Sequence, residues 1–180
     1  MKIFFSALAF LSLPSIALSQ TLCRKGEIDY FSCATASKKI ISVCGNITND
    51  GIGDGNWLQY RFGTARVIEL TYPSKKSGSA SKFEGNYFNK YGVIDLRFIR
   101  GETLYGIDLN GPYSGEDTKE RAGYTGGVSI EFAQSQRVNK HCKKINGEKY
   151  FEAFSHLNVL LNDYNGETDI LYKFRNKAVK

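Results

Sequence analysis

The sequence predicts a mainly β fold, an antiparallel barrel or sandwich with one C-terminal amphipathic helix, cross-linked by disulfides. Three observations carry this. Short segments with apolar residues at every second position recur along the chain, separated by stretches rich in Gly, Asn, Asp, Ser and Lys. The period changes to that of a helix only once, near the C-terminus. All four cysteines (Cys23, Cys33, Cys44 and Cys142) follow an export signal, and an exported chain meets an oxidising compartment where disulfides persist.

Taken in order, Lys2 supplies a positive start, and residues 3–18 form an apolar run broken by Ser6, Ser12, Pro14 and Ser15. Ala17-Leu18-Ser19 ends that run with small residues where signal peptidase reads. Residues 1–19 are therefore expected to be removed, and residues 20–180 to form a single β-rich domain. The run is shorter than the roughly 20 residues a membrane helix needs. Gln20, Thr21 and Leu22, the three residues before Cys23, lack the small side chains of a lipoprotein site.

Residues 28–44 read as a hairpin, with Ile28, Tyr30, Phe31 and Cys33 on one arm and the β-branched Ile40, Ile41 and Val43 on the other. Residues 46–56, dense in Gly, Asn and Asp, read as a loop. Over residues 57–63, Trp57, Gln59 and Arg61 point to one face and Leu58, Tyr60 and Phe62 to the other. Residues 67–72 alternate similarly until Pro73 stops them. A polar loop over 74–81 precedes a strand candidate over 83–88. Residues 93–99 and 103–109 flank Arg100-Gly101-Glu102 and are expected to pair as a second hairpin. Residues 111–127 are the longest irregular stretch, and a strand over 128–132 follows. From 150 to 164, Tyr150, Phe154, Leu157 and Leu161 recur at helical spacing, with Gly166 as a stop signal and a terminal strand over 168–174.

The formal charge of +6 falls to +5 without the signal's Lys2. Its basic pairs, Lys75-Lys76 and Lys143-Lys144, are short and interleaved with acids, which reads as solvated surface. Export and weak basic clustering both disfavour nucleic acid as a partner.

Four cysteines permit three pairings. Cys33 and Cys44 lie on the two arms of the first hairpin, so a bridge between them is accessible if their register matches. Cys23 would then pair with Cys142. The spacings contain no Cys-x-x-Cys, which argues against a zinc site.

Cys23, Gly26-Glu27, Phe31-Ser32-Cys33, Lys39, Ser42-Val43-Cys44 and Trp57-Leu58-Gln59-Tyr60-Arg61-Phe62-Gly63 with Glu69-Leu70, Tyr72-Pro73, the hairpin near Leu96 and Tyr105, the Gly-Val strand near Val128 and Cys142 form an ordered set. The set resembles a family of exported bacterial proteins of unknown function. The resemblance spans most of residues 20–180 and implies a shared fold and shared disulfides, with no catalytic or binding residues to carry over. A looser similarity is to periplasmic lysozyme inhibitors, which also begin with a Phe-Ser-Cys-like strand in a compact β-barrel; their inhibitory loop has no counterpart here.

No catalytic set is recognisable. His141 adjoins Cys142, but a disulfide-bonded cysteine is no nucleophile, and there is no Gly-x-Ser-x-Gly elbow. His156 falls beside the helix stripe. The Asp50-Gly51-Ile52-Gly53-Asp54-Gly55 run lacks the third-position ligand and later Glu of a calcium loop. Glu116, Asp117 and Glu120 offer carboxylates for glycoside chemistry, though on a charged, Gly-rich segment they read as exposed surface. Asn46-Ile47-Thr48 matches a glycosylation sequon that is inert in a bacterial context. Aromatic side chains are plentiful. Trp57, Tyr87, Tyr91, Tyr113 and Tyr124, at a strand start or in Gly-rich segments, are the candidate contact surface.

These readings lead to an expected function: an exported, periplasmic or secreted binding protein that inhibits or neutralises a protein partner. That partner would be an envelope hydrolase or a toxin delivered by a rival cell. The competing classes are an envelope hydrolase and a structural envelope protein. No cofactor, metal ion or membrane span is expected.

Overall fold

The computed structural model describes residues 21–47, 55–88, 93–111, 123–132 and 136–145, together with 149, 150, 153, 160, 161, 170, 172, 174 and 176. The expected signal segment lies outside these. Ten strands make one sheet: β1 (Ile28–Thr35), β2 (Ile40–Asn46), β3 (Trp57–Gly63), β4 (Ile68–Tyr72), β5 (Glu84–Phe88), β6 (Val93–Arg100), β7 (Thr103–Asn110), β8 (Thr125–Phe132), β9 (Arg137–Lys144) and β10 (Leu160–Leu161). Their spatial order is β10-β5-β6-β7-β8-β9-β1-β2-β3-β4. Every neighbouring pair is antiparallel except β10 with β5. Among the described residues nothing pairs with the outer edges of β10 and β4, so the sheet does not close into a barrel.

The sheet turns at the β9–β1 seam, where only Ala34↔Lys144 and Thr35↔Cys142 are paired. The β1–β4 half thereby faces the β5–β9 half. Their inward positions meet in an aromatic core centred on Phe98, which stacks on Tyr72 at 4.6 Å and on Tyr105 at 4.8 Å, with Tyr60 at 5.2 Å and Phe83 at 5.3 Å. Burial of alternate residues on both halves supplies the main driving force for the fold. The β6–β7 hairpin turns at Gly101, whose φ of +64° suits a tight two-residue connection.

The cysteines pair differently from the expectation. The bridges are Cys23–Cys44 and Cys33–Cys142, and no cysteine is free. Register explains this: Cys33 stands opposite Ile41, while Cys44 stands opposite Asp29. Cys33 therefore points inward with Phe31 and Ile41, whereas Cys44 lies outside the inter-sheet core. Two side chains on opposite faces of a hairpin cannot be bridged.

The C-terminal region also departs from expectation. Lys149, Tyr150 and Ala153 are helical, but most of the 150–164 stripe, Phe154, His156 and Leu157 included, lies outside the described residues. The C-terminal helix is not established, and Leu160–Leu161 form a strand on the β5 edge where the stripe predicted helix. Conversely, Ile170, Tyr172 and Phe174 are helical where a strand was expected. Ile170 and Phe174, four apart and so on one helix face, are buried against Leu104, with Ile99 beside them.

Candidate functional site

Alternation in β6–β9 sends one set of residues to the core and the other to the outer face. Along the middle of the four strands the outward set is polar, with Val93 and Leu104 at its margins. In cross-strand register, Asp95 faces Asp108, followed by Gly127 and His141; one step along, Arg97, Gly106, Ser129 and Asn139 line up. The small residues Gly106, Gly127 and Ser129 lower the middle of this face, and larger side chains on β6 and β9 rise on either side. The result is a groove of about 560 Å³ whose charged lining comprises Asp95, Arg97, Asp108, Glu131, Arg137 and His141. Leu104 and Phe174 also line it.

Its electrostatics are mixed and incompletely matched. Arg97 forms an ion pair with Asp95 through Nη2. Its other terminal nitrogen, Nη1, is buried without a hydrogen-bond partner. Burial, with the Asp108 charge adding to it, pushes the Asp95 carboxyl above its usual range against the pull of Arg97 and Arg137. Burial likewise raises Asp108, opposed by His141 and Arg137. Two carboxyls that resist ionisation, a half-satisfied guanidinium and an exposed histidine can bind groups of either sign, and can also exchange protons. Among the described residues, no three His, Cys, Asp or Glu side chains are grouped to hold a metal ion.

A second charged cluster, on the outer face of the β1–β4 half, is closed. Residues 21–27 cross that face as a strap pinned by Cys23–Cys44. Arg61 Nη1 donates to Leu22 O (3.0 Å) and Glu27 Oε2 (2.5 Å), while Nη2 donates to Glu27 Oε1 (3.0 Å) and Gln59 Oε1 (2.9 Å). Arg24 N donates to Glu27 Oε2 (2.7 Å), and Lys76 Nζ lies 3.0 Å from Oε1. Burial works to raise the Glu27 carboxyl, but these hydrogen bonds, chiefly from Arg61, then Arg24 and Lys76, bring it down to about 2.

The candidate contact residues do not assemble into one surface, although Trp57 stands beside the closed cluster with Arg61 and Lys76 over its ring. Trp57 is 9% exposed, with Lys76 Nζ 3.8 Å from its ring centroid. Tyr124 is half-buried against the core. Tyr87 belongs to β5. Tyr91, Tyr113, Glu116, Asp117 and Glu120 lie outside the described residues. His141 and Cys142, adjacent in sequence, separate: the imidazole lines the outer groove and the sulfur bonds Cys33 on the other face. Apart from His141, the charged groove residues carry no motif of their own in the sequence, where apolar alternation marks only the inward positions. Asp95 and Arg97 were nevertheless recoverable as the polar partners of Ile94, Leu96 and Phe98.

No family model, curated protein or solved structure matches this chain. Among the described residues no helix is long and apolar enough to cross a membrane.

Proposed function

We propose that this chain is an exported binding protein that inhibits or neutralises a protein partner of the bacterial cell envelope, receiving part of that partner in the β6–β9 groove. The observation that carries the reading is the groove itself. It is a concave face built on four paired strands, with acids and bases in near balance. Sites on strands hold their geometry better than sites on loops, and a surface of mixed sign complements a protein better than a polyanion. Both disulfides accord with an oxidising compartment. The motif resemblance to exported bacterial proteins supports the envelope as the place of action.

A second reading has its own observation. Asp95 and Asp108, directly opposite and both raised by burial, are the kind of carboxyl pair that hydrolases use as acid and base. Capture from periplasmic extract, followed by titration of the purified partner, separates the two. Replacing Arg97 and Arg137 together by Ala should weaken the complex roughly thirtyfold or more, the mark of a true anchor. Turnover of peptidoglycan by the pure protein, abolished by Asp95→Asn with Asp108→Asn and accompanied by no captured partner, puts the hydrolase first.

A further inference from the structure

The two halves of the sheet part at one end, which the β1–β2 turn (residues 36–39) and the β3–β4 turn (residues 64–67) share, as the pair Ile40↔Gly63 requires. The facing wall is the β8–β9 hairpin, where Phe132 N donates to Gln136 O. Lys140 spans from one wall to the other, its Nζ 5.9 Å from the Phe62 ring centroid. Alternation sends Ile68 and Leu70, beside Phe62, into this mouth from one wall, and Ile130, Phe132 and Val138 from the other. Tyr60 and Phe98, in contact and fully buried, close the core behind it. At the mouth itself the packing runs out. Four of the six exposed large apolar side chains among the described residues, Val67, Ile68, Phe132 and Val138, gather here at 37% to 59% exposure. Single exposed apolar residues need no explanation, but several at one opening make a patch.

The charge at this end is one-sided. Its acids are offset: Glu69 pairs with Lys39, Glu131 stands opposite Arg137, and Glu102 shares its turn with Arg100. Lys38, Arg66 and Lys140 have no ion-pair partner among the described residues. Lys38 and Arg66 are exposed on the two turns, and Lys140 brings its ammonium to the apolar opening.

We propose that this end of the protein is a docking tip for an anionic lipid surface. The exposed apolar side chains enter the headgroup layer, and Lys38, Arg66 and Lys140 meet lipid phosphates. The layout selects this occupant. Apolar side chains at an opening flanked by cations match a partner that is anionic outside and hydrocarbon beneath, the arrangement by which peripheral proteins rest on membranes. A second copy meeting tip to tip would set the three cations of each chain against those of the other. The inference goes beyond the groove reading and does not rest on it, because none of the side chains it uses lines the groove.

The test sediments the exported, oxidised chain with two kinds of vesicle, phosphatidylethanolamine mixed with phosphatidylglycerol, and phosphatidylcholine alone. Binding to the anionic vesicles should be at least roughly tenfold stronger and should weaken as salt is added. Lys38→Gln, Arg66→Gln and Lys140→Gln together should lower it at least roughly tenfold, while Lys75→Gln, beyond the far end of β4, should not. Val67→Ser with Phe132→Ser should lower it roughly fivefold. Far-ultraviolet spectra check that each variant is folded, and Val67→Ser alone, on an exposed turn, should give a smaller loss in the same direction.

A folded wild-type chain that sediments with neither vesicle overturns the proposal, as does equal binding to both or binding untouched by the charge variant. A reversible dimer that Phe132→Ser dissolves also overturns it and assigns the tip to a second copy. Vesicle binding with no captured protein supports the tip and removes the groove reading; a captured protein with no vesicle binding does the reverse.

Discussion

The two outer faces of the sheet carry the same kinds of residue to opposite ends. On the β1–β4 half, Arg61 and Glu27 are 3% and 7% exposed, and every direction they offer is answered by the strap, Gln59 or Lys76. On the β6–β9 half, Arg97 and Asp95 are 19% and 27% exposed, one guanidinium nitrogen is unanswered, and space remains above them. A buried ion pair whose hydrogen bonds are complete fixes a segment in place. One that is incomplete recovers less of its desolvation cost and holds its segment less firmly.

The largest expected difference is in stability. Arg61→Met leaves the buried Glu27 with only Lys76 and the Arg24 N–H as partners and should cost about 3 kcal/mol or more, whereas Arg97→Met, beside an open groove, should cost about 1 kcal/mol or less. Denaturant unfolding of the oxidised proteins measures both, and equal losses would erase the distinction between the faces. Next, removing the strap's anchor by Cys23→Ala with Cys44→Ala opens a loop of 21 residues' separation, worth about 3 kcal/mol in the chain-entropy model. Groove binding should survive that change, because no strap residue lines the groove; lost binding in a folded variant would show that the faces are coupled.

The smallest effects are in pH dependence, and they have opposite signs. Glu27 is held down to about 2 from an ordinary 4.5. Its contribution is fully present above the ordinary value and is lost as pH falls toward about 2, amounting to about 2 to 3 kcal/mol that Glu27→Gln should abolish. Asp95 and Asp108 are raised, so their share of stability is greatest below the ordinary aspartate range and declines as pH rises through their folded values. Asp95→Asn with Asp108→Asn should therefore raise stability at neutral pH. A loss there would mean that their ionised forms are stabilised within the fold.

The strands were legible wherever one face was apolar. Residues 57–63 match β3 to the residue, and the Arg100-Gly101-Glu102 turn joins β6 to β7 as its flanks predicted. β9 was not legible. Its inward positions are Val138, Lys140 and Cys142, its outward ones Arg137, Asn139 and His141, and no hydrophobic alternation survives when a disulfide and a groove take the places of packing. The bridge pairing failed for a related reason. Cysteine spacing fixes distance along the hairpin, but only register decides which face each sulfur occupies. The groove lay one step further away, since it requires the outward residues of four strands to be aligned, and that alignment is set by three hairpins acting together.

The seam between β1 and β9 has a consequence for the order of folding. β1–β4 is a meander of near neighbours, as is β6–β9, but Cys33 and Cys142 are 109 positions apart. Short loops close at the least entropic cost, so both meanders are expected to form before the seam. During that interval β1 and β9 each present a bare edge, the feature through which incomplete β proteins recruit one another. With two ladder pairs at the seam, few hydrogen bonds hold the edges together once they meet. Oxidation of Cys33 with Cys142 acts as a latch, retiring two adhesive edges in one covalent step.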